Sequence, residues 1–189
     1  MSVKTGWLLF IAAVFPLAVQ AGGAIDFSLS DTSVRLEHEA VRSGTSAHIT
    51  TGVLYSERYS SSDSTFAFSA GFNAVDATLQ NRELIGGIGF KGYFFEDRAD
   101  AGGAIAVGGF LRWNPDFMNG LGAEGSLYYS PQILAFNSLD GFQDVQARLT
   151  YKVLPQARVL VGWHDVSSYR GSSNVKVDNA LHLGFRMNY

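Results

Sequence analysis

The sequence predicts an all-β protein, an antiparallel up-and-down transmembrane β-barrel of about ten strands, with eight as the smaller count. Three observations carry that prediction. Apolar residues alternate with small or polar ones over long stretches, as in 101–113 and 181–189. The chain opens on an export leader, and its composition fits neither a soluble domain nor a bundle of membrane helices. Of 189 residues, 47% are hydrophobic, only 16% are charged, 21 are Gly and none is Cys. Soluble domains carry about 25% charged residues and about 7% Gly. Mean hydropathy is nevertheless only +0.07, so the apolar residues are dispersed. Dispersal excludes helical membrane spans, which need about 20 consecutive apolar residues. The high apolar content excludes disorder, and the lack of Cys excludes a disulfide framework.

Residues 1–21 read as a secretory signal peptide. Lys4 supplies the positive end, Trp7 to Val19 forms an apolar stretch too short to span a bilayer, and Val19-Gln20-Ala21 is a small-x-small site with cleavage after Ala21. No basic stop-transfer cluster follows, and Pro16 would break a longer helix. Loss of Lys4 takes the formal net charge from −3 to −4. An exported, mildly acidic chain lacks the basic footprint of a nucleic-acid binder.

From residue 22 onward the period is two. Ile25, Phe27 and Leu29 open a first strand over 24–30, and 33–40 follows with weaker alternation. Ala47, Ile49, Thr51, Val53 and Tyr55 share one face of 46–56. Phe66, Phe68, Ala70, Phe72 and Ala74 share one face of 64–74. Strands at 83–95, 101–113 and 121–130 follow, then 143–153 with Val145, Ala147, Leu149, Tyr151 and Val153 aligned. The last two are 157–166 and 176–189. Side chains alternate across a strand, so each run makes one greasy surface and one polar or small one. The weak 33–40 run is why eight strands stays open beside ten. The three prolines after the leader, Pro115, Pro131 and Pro155, all fall where alternation stops.

Such strands build either a soluble sandwich with the greasy face inward or a membrane barrel with it outward. Run length favours the barrel, because a tilted spanning strand needs about 9–11 residues and an ordinary one about 5–6. Aromatics near strand ends (Tyr55, Phe66, Phe94, Trp113, Tyr129, Trp163 and Tyr189) match interfacial girdles. With both termini periplasmic, Leu154-Pro155-Gln156 becomes a short inner turn. Residues 60–63, 130–141 and 166–175 become outer loops, and 75–82 is long for an inner turn. One domain, 22–189, results, with no linker or second domain.

The segments FSLSDTSVRLEHE (27–39), GGIGFKGYFFE (86–96), AEGSLYYSPQ (123–132) and YKVLPQARVLVGW (151–163), with the closing aromatic strand, resemble the YfaZ-type outer-membrane protein family of gammaproteobacteria. The resemblance implies a barrel in the outer membrane of a Gram-negative bacterium and at most a porin-like role. It transfers no catalytic residue.

The non-greasy faces nominate a set of lumen charges: Lys91, Arg112, Glu124, Arg148, Lys152, Arg158, His182 and Arg186, with Glu37 or Glu39 as further members. Bases outnumber acids in this set. It reads either as an anion-favouring pore lining or as an ion-pair plug, since a barrel of eight strands is just filled by side chains. Leu181, Leu183, Phe185, Met187 and Tyr189 resemble the terminal signal read by the barrel-assembly machinery. His164-Asp165 with Ser167 and Ser168 is the one group resembling a hydrolase, but adjacent strand residues face opposite ways, so His164 and Asp165 do not share a site. The four histidines lack ligand spacing and predict no metal; Gly86-Gly87-x-Gly89 has no helix after it and is no nucleotide loop. The expectation is a non-enzymatic, cofactor-free barrel, structural or narrowly porin-like, contacting outer-membrane lipid and lipopolysaccharide. Its rivals are a lipid-modifying outer-membrane hydrolase and a soluble periplasmic β-sandwich binding module. No pattern specifies an oligomeric state.

Overall fold

The computed structural model describes residues 22–41, 46–57, 64–76, 83–97, 101–137, 139–170 and 173–189. The expected leader, 1–21, lies outside them. Eleven strands are present among the described residues: β1 (Gly23–Ser30), β2 (Ser33–Val41), β3 (Ala47–Glu57), β4 (Ser64–Val75), β5 (Leu84–Asp97), β6 (Ala101–Trp113), β7 (Leu121–Ser130), β8 (Ala135–Asn137), β9 (Gly141–Leu154), β10 (Ala157–Arg170) and β11 (Ser173–Asn188). All but the short β8 form one antiparallel wall. Each pairs with its chain neighbours, β7 pairs with β9, and β1 pairs with β11 to close the ring. The count is therefore ten, and the weakly alternating pair β1–β2 belongs to the wall.

Alternation fixes the two surfaces. Every greasy face read from the sequence points outward: Ile49 and Tyr55 on β3, Phe66 to Phe72 on β4, Leu149 to Val153 on β9, and Leu181 to Met187 on β11 are exposed. Ile88 and Leu181 are bare to 76% and 73%. The other parity points inward and is buried, including Arg35, Lys91, Glu124, Arg148 and Arg186. The barrel is thus inverted relative to a soluble sandwich, with its broad apolar surface outside.

The connections differ from the sequence reading at one end. Residues 166–175 were expected to form a loop. Instead β10 runs to Arg170 and β11 begins at Ser173, with a register shift between Val166 and Ser167. A hairpin that outruns the apolar belt needs no greasy face, so its serines carry no alternation to read. Between β7 and β9, Pro131 precedes a 3-10 turn (Gln132–Leu134), and β8 then pairs with Gly102–Ala104 of β6, above the point where β7 leaves it. At the opposite end, Pro115 precedes a second 3-10 turn (Asp116–Met118), and Asn119 and Gly120 return the chain into β7 through positive φ.

The β1–β11 seam is clasped at the end holding both termini. Tyr189 crosses β1 to reach β2, where its hydroxyl lies 2.7 Å from His38 Nε2 and the rings stack at 6.1 Å. Only Gly at position 23 permits the crossing, since a Cβ there would meet the Tyr189 hydroxyl at 2.7 Å and Glu39 O at 2.5 Å. Replacing Tyr189 by Phe removes one hydrogen bond, worth about 0.5–1.5 kcal/mol when well sheltered. Gly23→Val displaces the whole ring. The temperature at which the folded barrel is lost on heating in detergent should fall slightly for the first variant and clearly for the second.

Candidate functional site

The lumen is the candidate site, and it has two halves of opposite character. Away from the termini, Leu54, Ala67, Phe95, Leu139, Phe142, Val166 and Val177 form one buried apolar cluster with Tyr93 and Ala104. Phe142 is at its centre, with ring centroids 4.4 Å from Tyr93 and 4.8 Å from Phe95. The sequence places charged, polar and small residues in the lumen, so this apolar stopper of large side chains is a correction. Its members are ordinary inward positions of β3 to β6 and β9 to β11, plus Leu139 from the connection that carries β8.

Towards the termini the inward positions are charged. Asp26 (β1), Glu124 (β7), Arg148 (β9) and Arg186 (β11) form a closed ring of two acids and two guanidinium groups. Arg186 donates to both Asp26 oxygens at 2.6 Å and to Glu124 Oε1 at 2.6 Å. Arg148 donates to Glu124 Oε2 at 2.8 Å and to Asp26 Oδ2 at 2.9 Å. Gly162 makes room for Arg148, because a Cβ there would lie 2.5 Å from the Arg148 Cβ. Arg112 extends the ring to Glu39, donating at 2.6 and 3.2 Å, and His48 Nδ1 lies 2.5 Å from the same carboxylate. A second chain runs Lys91–Glu37–Arg35–Asp144 at 3.5, 3.8 and 2.8 Å, and Tyr93 donates to Asp144 at 2.8 Å. These are charge-assisted bonds between largely buried groups, where fork-shaped Arg pairs with carboxylates best.

Of the residues nominated from sequence, Lys91, Arg112, Glu124, Arg148, His182 and Arg186 lie inside this packing. Arg158 is inward and half-buried, donating to Thr150 Oγ1 at 3.3 Å and Gly120 O at 3.1 Å. Lys152 has inward parity but is exposed at the mouth, so it is not a lumen charge. The predicted excess of bases narrows. Asp26, Glu37, Glu39, Asp144 and Asp178 join Glu124 inside, and Arg35, His48 and His164 are added bases, so among the described residues the inward Lys and Arg side chains equal the inward carboxylates in number. The terminal set Leu181, Leu183, Phe185, Met187 and Tyr189 is exposed along β11.

His164 and Asp165 do face opposite sides. His164 is inside, its Nε2 2.6 Å from Asp178 and its Nδ1 3.1 Å from His182 Nδ1, with the rings stacked at 4.9 Å. Asp165 is bonded by Ser167, Asn179 and, at 3.1 Å, Lys176. Asp165 and its Ser167 partner are thus held apart from the histidine. Among the described residues, no group of three or more His, Asp or Glu could hold a metal ion.

A model for the family described as YfaZ precursor matches residues 17–189. The chain belongs to that family. Comparison with curated proteins gives no match. Among solved structures, it is similar to the outer membrane channel DcaP of Acinetobacter baumannii, at 8% identity and a TM-score of 0.43, over 87% of this chain and 54% of that one. The chain therefore spans about half the length of that structure.

Two features of this YfaZ-family barrel escaped the sequence reading. The His164–His182 contact joins neighbours on paired strands, where Gly162 faces His182 and His164 faces Ala180. Shared inward parity was the available signal, but register was not readable. Asp26 was masked by the greasy Ile25, Phe27 and Leu29 around it, although its parity matches the inward Ser28.

Removing one member of a buried ion pair strands its partners, a cost of about 3–5 kcal/mol. Glu124→Leu leaves Arg148 and Arg186 with only Asp26, and should lower the urea midpoint of the detergent-solubilised barrel accordingly. Lys152→Ala, at the exposed mouth, should leave the midpoint unchanged.

Proposed function

We propose that this chain is an integral outer-membrane β-barrel with a closed lumen and a structural, non-catalytic role in the cell envelope. The observation that carries the reading is the exposed apolar belt, which continues around the wall from Leu29 through Phe68, Phe90, Val107, Leu127, Leu149 and Val161 to Leu183. A lipid bilayer is the environment in which such a surface is stable, and a closed barrel is one of the two structures that can cross it with every backbone group satisfied. Its contacts are then outer-membrane lipid and lipopolysaccharide, with both termini periplasmic. The exposed apolar positions of β11, ending at Tyr189, suit recognition by the barrel-assembly machinery. Against hydrolysis, His164 is committed to Asp178 and His182 inside the wall, and Ser167 to Asp165.

A narrow porin-like passage is the second reading. A cavity of about 50 Å³ beside the charged network favours it. The apolar cluster around Phe142 would then be the obstruction.

Heat-modifiable migration and membrane fractionation test the location: a band shift on boiling and recovery with outer membranes are expected, and free solubility in the periplasm would reject the barrel reading. In planar bilayers the purified protein should be electrically silent. Joint replacement of Leu139 and Phe142 by Ser should raise leak conductance. Steady ohmic channels from the unmodified protein would favour the porin reading. His164→Ala and Ser167→Ala should leave phospholipid and lipid A unhydrolysed, as with the parent protein.

A further inference from the structure

The cavity beside the charged network has an imbalance of hydrogen-bonding groups. Its volume of about 50 Å³ is several times the roughly 10–15 Å³ that one water needs on the same measure. Four carboxylates line it, and each is engaged: Asp26 by Arg148 and Arg186, Glu124 by the same two, Glu39 by Arg112 and His48, and Glu37 by Lys91 and Arg35. The lining groups without a hydrogen-bond partner among the described residues are Asn73 Nδ2, Gln146 Nε2 and Thr50 Oγ1. The first two are amide donors and the third is a hydroxyl able to donate. Asn73 is fully buried and Gln146 is 8% exposed. The Asn73 amide is oriented by the Tyr128 hydroxyl, which donates to Oδ1 at 2.7 Å and so leaves Nδ2 free. Lys91 adds an ammonium group, held 4.5 Å above the Tyr128 ring and 3.5 Å from Glu37.

The charges of the surrounding network are balanced: Lys91, Arg35, Arg112, Arg148 and Arg186 pair with Asp26, Glu37, Glu39, Glu124 and Asp144. Of the cations that line the cavity, Lys91 is the most loosely paired, at 3.5 Å from its carboxylate, against 2.6 Å for Arg112 and 2.8 Å for Arg148. Uncommitted amide donors beside a loosely paired ammonium group call for an acceptor that carries negative charge.

We infer that this cavity is a binding site for one small monovalent inorganic anion of halide size, held by Lys91, Asn73 and Gln146. The site lies on the terminal side of the apolar cluster, so the anion enters from the periplasmic mouth. Binding requires no conduction through the barrel.

Crystals of the full barrel in detergent, grown with bromide replacing chloride, test this directly. The expected result is one anomalous peak within the cavity, in contact with Lys91, Asn73 and Gln146. In solution, the unfolding midpoint should be higher in chloride or bromide than in gluconate at equal ionic strength. Gln146→Glu should abolish that difference, because its own carboxylate answers the donors. If the variant does not fold, the bromide experiment on the unmodified protein still decides. Absence of an anomalous peak, with equal midpoints in halide and gluconate, would mean that the cavity holds water only and would overturn the inference.

Discussion

In a closed ten-strand wall, every second side chain points at a common axis, and the space there is small. That geometry makes charge pairing obligatory. A carboxylate or guanidinium group aimed at the axis loses most of its water and has only other inward side chains to replace it. The ring of Asp26, Arg186, Glu124 and Arg148 is the response. Its four members come from four strands, β1, β11, β7 and β9, and each guanidinium bonds both carboxylates. The ring thus ties the seam of the barrel to strands well away from it. Such pairs are weak contributors to net stability when compared with apolar replacements. They do constrain which strand sits where, because only one register brings two acids and two arginines together.

The other half of the lumen solves the same spatial problem with apolar residues. Phe142, Phe95, Tyr93 and Leu139 pack as they would in a small soluble core, while the outside of the same strands is greasy for a different reason. The chain therefore carries two apolar surfaces of unequal size. The outer one is broad and continuous. The inner one is compact and confined to the end away from the termini. Its placement gives the lumen two halves of different character, one apolar and one charged.

Much of the wall was legible because period two is a strong signal when one face meets lipid and the other does not. The clean runs, the prolines at their ends and the outward parity of Leu181 to Met187 all stand. The signal failed where the outer face is not uniformly apolar. On β2, Arg35, Glu37 and Glu39 point inward and Val34 and Leu36 outward, but His38 interrupts the outer face to serve the Tyr189 clasp, so alternation is faint although the strand is structural. At the tips of β10 and β11, serines and charges occupy both faces, and the strand continued beyond what its pattern could reveal. Within the lumen, inward parity identified single charges such as Glu124 and Arg186. Their partners depend on the stagger between strands, which no single run contains. The His164–His182 contact and the balance of acids against bases were invisible for that reason.

The seam between β1 and β11 also dictates an order of events. It pairs Ala24 with Asn188 and Ser30 with His182, residues about as far apart as the described chain allows. Hairpins such as β9–β10 form from local contacts, but closure must wait until the last strand has been delivered to the first. Until then, both outer strands present unpaired backbone edges, each a template for the wrong partner. Closure is thus the slow, hazardous step of folding, when a chaperone shielding those edges would matter most.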